Sequence, residues 1–159
     1  MAIGAKIKEL HASLPQGVSL VAVSKFHPVE ALKEAYDAGQ RIFGESRPQE
    51  LKLKAEILPR DIEWHMIGHL QTNKVKYIAP FVTLIESLDS EHLAAEINRQ
   101  AEKCGRTIDC LLEIHVTDEE SKSGWAYDEL LSFVRGGGFD AYPNIRISGV
   151  MGMASFTDG

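Results

Sequence analysis

The chain has 159 residues, enough for one domain with a real core, and its 44% hydrophobic and 25% charged residues are ordinary for a soluble globular protein. A net charge of −6 and a pI near 5.5 remove the electrostatic case for nucleic acid or an anionic membrane as partner. No apolar run approaches the length of a membrane span, and no low-complexity tract or basic block breaks the pattern.

The opening segment, MAIGAKIKELHASL, spaces Ile3, Ile7, Leu10 and Leu14 as an amphipathic surface helix, and no uninterrupted apolar stretch follows its charges as in a signal peptide. Val18 to Pro28, VSLVAVSKFHP, is a near-continuous apolar run, the pattern of a parallel strand buried on both faces. It delivers Lys25 where the strand ends, and Pro28 suits the first turn of the helix that follows. That helix sets Val29, Leu32, Ala35 and Tyr36 on one face and stops at Gly39. A short strand, RIFG (41–44), leads to Gly44-Glu45. Ser46 and Gln49 then form a capping-box pattern for a helix carrying Leu51, Leu53, Ala55 and Leu58, closed by Pro59.

A third strand occupies 62–68 with its exit loop, a short helix falls within 70–80, and a fourth strand covers 81–87. Ser90 to Cys104 is helical, with Leu93, Ala94, Ile97 and Ala101 aligned and Gly105 as terminator. TIDCLLEIHV (107–116) is a fifth strand, Tyr127–Val134 a helix, Gly136–Gly138 a flexible turn, and NIRISGVMGMA (144–154) a sixth strand with its exit. Cys104 and Cys110, without C-x-x-C spacing, indicate reduced, mostly buried thiols in a cytoplasmic protein.

Alternating strands and helices with short connections imply right-handed crossovers and a parallel sheet. No repeat or linker divides residues 1–159, so a single domain is expected. Polar residues recur at nearly every strand exit: Lys25, Glu45, His65, Glu86, Lys122 and the Met151–Met153 loop. With no G-x-G-x-x-G after the first strand, that distribution favours a parallel (β/α)8 barrel of TIM type over a doubly wound sheet. Only about five and a half of its roughly eight βα units are present, and the chain stops just beyond a strand, as a shortened barrel would.

A strand-end lysine becomes reactive when barrel walls desolvate it and favour its neutral amine, which can then form a Schiff base with an aldehyde cofactor. Pyridoxal phosphate is the obvious aldehyde, and the plain alternative is a lysine snorkelling from the rim. His65 and His69 stand four apart, but with a strand-like Trp64–Met66 and an intervening Gly68 they suit structural or ring contacts better than a metal. Glu45 and Glu86 are candidate strand-end carboxylates, and Lys122 matters only if its loop folds over the barrel mouth. Gln71, Asn73 and Lys74 most simply cap a helix start. Ser46 lacks the G-x-S-x-G surroundings of a nucleophile.

Taken together, VAVSKFHP (21–28), FGESRPQE (43–50), WHMIGHLQTNK (64–74), SLDS (87–90), ESKSG (120–124) and SGVMGMA (148–154) resemble the pyridoxal phosphate homeostasis protein family (YggS/PROSC-like). That family shares the alanine racemase N-terminal barrel fold. The resemblance implies that Lys25 forms the internal aldimine with pyridoxal phosphate and that His65, Ile67 and Met151 crowd the cofactor ring. It also implies a role in vitamin B6 and amino-acid homeostasis without established turnover, with apo pyridoxal-phosphate enzymes as conceivable recipients and a monomeric state. No acid/base pair opposite Lys25 can be identified, which agrees. An amino-acid racemase-like enzyme is the alternative, and a cofactor-free interaction domain is a third.

Two departures carry consequences. At position 46, next to the cofactor in the family, Ser46 replaces the usual Asn. The family's Ser-x-Gly-Met and Arg-Ile-Gly-Thr segments, which form the phosphate cup, are missing, so this chain is expected to be a fragment with weakened hold on the phosphate.

Overall fold

The computed structural model describes residues 2–115 and 124–152. Helix α1 (Ile3–Ser13) precedes strand β1 (Ala22–Val23). Then follow α2 (Val29–Asp37), β2 (Ile42–Glu45), α3 (Pro48–Ile57), β3 (Glu63–Met66), a 3₁₀ turn (Thr72–Lys74) with α4 (Val75–Ile78), and β4 (Leu84–Leu88). The chain continues through α5 (Glu91–Lys103), β5 (Ile108–Ile114), α6 (Tyr127–Arg135), a second 3₁₀ turn (Gly138–Ala141) and β6 (Ile145–Gly152). All neighbouring strands pair in parallel, in the order β1-β2-β3-β4-β5-β6. A doubly wound sheet reverses its strand order at a switch point; here each strand is laid beside the previous one, as in a barrel. The architecture is a partial (β/α) barrel.

Strand periodicity separates two faces. Phe43, Trp64, Met66, Ile85 and Cys110 are buried on the helix-covered face, which also holds the Phe43–Trp64 ring contact at 5.8 Å. Gly44, His65, Leu84, Glu86 and Asp109 alternate with them on the inner face. Burial pushes the Cys110 thiol up to about 12, an inert side chain, whereas Cys104 is exposed, so only one of the two cysteines is buried as expected.

The first strand is shorter and barer than the sequence predicts. Only Ala22 and Val23 pair, with β2, and Val18 and Val23 are 52% and 53% exposed. Among the described residues β1 has one neighbour in the sheet, β2, and the apolar run is half covered there. The capping box at Ser46 does not form either. Pro48 takes the first helical position of α3 and holds Arg47 in extended backbone (φ −116°, ψ 120°), which moves the helix boundary past Ser46. The buried residues of α3 include Leu51 and Lys54, with Leu58 just beyond, while Leu53 is 58% exposed.

Other signals act as read. Gly39 and Gly105 end α2 and α5 with positive φ (106° and 66°), and Ser90 caps α5 by accepting the Leu93 N–H at 3.2 Å. Ser90→Ala should lower stability by about 1 kcal/mol, measured by urea unfolding with an unchanged slope. Gly124 (φ 130°) lets the chain pass the end of β5, because a Cβ there would meet the His115 nitrogen at 2.8 Å. Next to it, Trp125 donates its indole N–H to the Leu88 carbonyl at 3.1 Å and packs on Phe133, tying α6 to β4. Among the described residues no helix is long and apolar enough to cross a membrane.

Candidate functional site

Lys25 leaves the sheet two residues past Val23, the last paired position of β1, with Ser24 between them. Its side chain is exposed, and among the described residues it has no hydrogen-bond or ion-pair partner. Both neighbours, by contrast, are pinned. Ser24 donates its backbone N–H to the Gly44 carbonyl at 2.9 Å and accepts the His27 N–H at 3.1 Å. Phe26 is the one non-glycine with positive φ (67°) among the described residues, a left-handed conformation costing a bulky side chain about 1–2 kcal/mol. Its N–H donates to Glu50 at 3.1 Å, and the Arg47 guanidinium sits 4.6 Å from its ring centroid, so the surroundings hold the strain in place.

The sequence reading missed Lys54, which organises this corner. Its Nζ, on a side chain only 6% exposed, donates to the Ser24 carbonyl at 2.7 Å and to the two Glu45 oxygens at 3.1 and 3.0 Å, and lies 3.6 Å from Glu50. The Ser24 hydroxyl donates to Glu45 as well. Glu45 therefore is not a barrel-mouth carboxylate: it shares the helix-covered face of β2 with Phe43, is fully buried, and turns toward α3. Burial is the main force lifting its carboxyl to about 7, helped by a hydrogen bond with Glu50 and opposed by Ser24 and Lys54. Glu50 goes the other way. Its own partial burial pushes up, but the hydrogen bonds from Glu45 and the Phe26 N–H, with the Lys54 charge, bring it below its ordinary value.

On the inner face, Val23 is in register with Gly44 and Gly44 with His65, so the first three exits lie side by side. Ile67, just past β3, lies over Gly44: a Cβ at position 44 would meet its Cγ2 at 3.0 Å and Val21 Cγ1 at 3.1 Å. Only glycine lets Ile67 come this close. Gly68 plays the same part against the β2 exit, where a Cβ would stand 2.9 Å from that of Ser46. His65 Nδ1 lies 3.0 Å from Glu86 on β4, a hydrogen bond that fixes the ring. His69 instead pairs with Asp89 at 3.4 Å, so the two histidines serve different carboxylates.

The structure thus brings Lys25, Ser46, His65 and Ile67 to adjacent exits, with Glu86 behind His65. Met151, half-buried, stands on β6 in register with Glu113, at the far edge with four strands between it and β1. Lys122 and Met153 lie outside the described residues. Between the β2 exit and the turn leading to α4, a cavity of about 260 Å³ is lined by residues that include Ser46, Arg47, Pro48, His69, Gln71 and Lys74, a mixed wall with two cations.

A parallel barrel segment with sequentially ordered strands, bearing a bare lysine amine at its first exit, defines the (β/α) barrel class. The model of that family, "Alanine racemase, N-terminal domain", matches residues 1–159. The pyridoxal phosphate homeostasis protein of Schizosaccharomyces pombe is 39% identical over 145 residues, covering 90% of this chain and 60% of that protein. Its namesake from Aquifex aeolicus is 41% identical over 136 residues, covering 83% and 58%. The structure of PipY from Synechococcus elongatus with PLP bound superposes with a TM-score of 0.88 at 35% identity, covering 98% of this chain and 72% of that one. Without PLP, PipY gives 0.91 at 34% identity, covering 99% and 73%. The chain belongs to the pyridoxal phosphate homeostasis proteins, within the alanine racemase N-terminal family. It spans 60% and 58% of the two curated relatives' length.

Proposed function

We propose that this chain carries the covalent end of a pyridoxal phosphate site, with Lys25 Nζ condensing with the cofactor aldehyde and releasing one water. The carrying observation is the partner-free Lys25 amine at the β1 exit, held between pinned neighbours; it is exposed among the described residues, not walled off as the sequence predicts. The donor chemistry fits the cofactor: a primary amine suits the aldehyde, and Ile67 over Gly44 offers an apolar wall at the next two exits. Bound there, the cofactor would supply an electrophilic aldehyde and an electron-withdrawing ring. His65, its ring fixed by Glu86, lines the same face, and Ser46 stands at the second exit. Met151 belongs to the proposal from the opposite edge of the sheet.

The role we assign is carriage of pyridoxal phosphate in vitamin B6 homeostasis, by a cytoplasmic monomer delivering to apo-enzymes, without turnover. Incubation with pyridoxal phosphate, borohydride reduction and peptide mapping should show one reduced adduct, on Lys25. Adducts scattered over surface lysines with Lys25 spared would overturn the assignment. α-Proton exchange of alanine in deuterated water should stay at the rate of free cofactor; faster exchange would make the chain an enzyme.

A further inference from the structure

We propose that Lys54 is the positioning residue for Lys25, holding the β1 exit in register by clamping the Ser24 carbonyl to the end of β2. This rests on the reading of Lys25 as the cofactor lysine. A lysine with a 6% exposed side chain is rare unless it is paired, and this one is paired more fully than structural neutralisation alone requires. One carboxylate would neutralise it; here Nζ also donates, at 2.7 Å, to the main-chain carbonyl immediately before Lys25. The same carboxylate, Glu45, receives the Ser24 hydroxyl, so side chain and main chain of Ser24 are both tied to one buried charge pair.

The second anchor acts on the residue after Lys25. Glu50, 3.6 Å from Lys54 and one helical turn before it on α3, accepts the N–H of the left-handed Phe26. Lys54 and Glu50 thus grip residues 24 and 26 from one helix and leave residue 25 as the residue between them that reaches solvent. Only two residues of β1, Ala22 and Val23, pair with β2, so that ladder supplies little of this order. Without the clamp the Lys25 backbone would sample several positions, and each productive encounter would have to pay the ordering entropy anew.

The test compares reductive trapping of pyridoxal phosphate at Lys25 in the full chain and in Glu45→Gln/Lys54→Met. That double variant removes both buried charges together and leaves neither unpaired. Circular dichroism and the melting temperature report the fold. Half-saturation for Lys25 trapping reports the clamp, with trapping at exposed Lys33 or Lys103 as an internal reference for amine chemistry. A folded double variant should need about tenfold more cofactor, the equivalent of one lost hydrogen bond to a charged group, with the reference lysines unchanged. Wild-type half-saturation in a folded double variant would overturn the proposal. Should that variant fail to fold, Glu50→Ala decides: releasing the Phe26 N–H should raise half-saturation at least threefold, and no change would overturn it. A wild-type chain that leaves Lys25 unlabelled would instead defeat the cofactor reading itself, an outcome visible before any variant is made.

Discussion

Lys25→Ala is expected to abolish site-selective trapping of pyridoxal phosphate while leaving the melting temperature within about 2 °C of the parent. The first half follows from chemistry: a single primary amine forms the imine, and the other proposed site residues at these exits, Ser46, His65 and Ile67, lack one. The second half follows from surroundings. Lys25 is exposed and makes no hydrogen bond or ion pair among the described residues, so truncation removes no buried contact, and surface changes of this sort stay within about 0.5 kcal/mol. The measurement is the mass of reduced adduct per chain, mapped to peptides, beside a thermal scan. Adduct retained at the parent level in Lys25→Ala would move the cofactor lysine elsewhere. Lys25→Arg sharpens the point, because guanidinium keeps the positive charge yet gives no stable imine under these conditions. If charge alone drew the phosphate, Arg would retain non-covalent binding; if the covalent bond dominates, both variants fall together.

How much of this was legible beforehand varies with the physics involved. The βα alternation and the barrel order were readable because each strand is a short apolar run and each helix has an aligned apolar stripe ended by Gly or Pro, signals that are local in sequence. The short pairing of β1 was not, since Val18–Val23 is a near-continuous apolar run and only the register shows that Ala22 and Val23 alone pair with β2 among the described residues. The place of Lys25 at the first strand exit was readable, as a lone cation closing an apolar run. Glu45 was placed on the wrong face because strand ends were read as mouth positions. Its neighbour Phe43, buried two residues earlier, was the available signal that position 45 shares the covered side. Lys54 carried a signal too: it falls on the Leu51–Leu58 face of α3 at i+3 from Leu51, where a lysine is either a mistake or has a buried partner. What periodicity could not supply was the partner, which comes from another strand.

That buried pair gives the second large effect. At pH 8, where Glu45 is ionised in the parent, Lys54→Met alone should destabilise the fold by up to about 3–5 kcal/mol, because it strands a fully buried Glu45 beside the Ser24 hydroxyl with no cation to neutralise it. For a chain of this length the drop in melting temperature is roughly 10 °C. Glu45→Gln/Lys54→Met should recover most of it, and failure to recover would mean that Lys54 acts through packing and not through charge. Acidity separates the two further. The Glu45 carboxyl titrates from an ordinary 4.5 in the unfolded chain to about 7 in the folded one. Between those values the folded chain holds a proton that the unfolded chain has released, so this proton's stabilisation of the fold is complete below about pH 4.5 and is lost as pH rises through about 7. Glu50 has the opposite sign, its contribution present above its unfolded value and lost as pH falls, so its window lies on the acid side of the first. The melting temperature of the wild type, taken relative to the double variant, should therefore fall as pH rises from 5 to 8. A flat difference across that range would show that Lys54 keeps Glu45 ionised throughout, making the pair a fixed ion pair with no proton to exchange near neutrality.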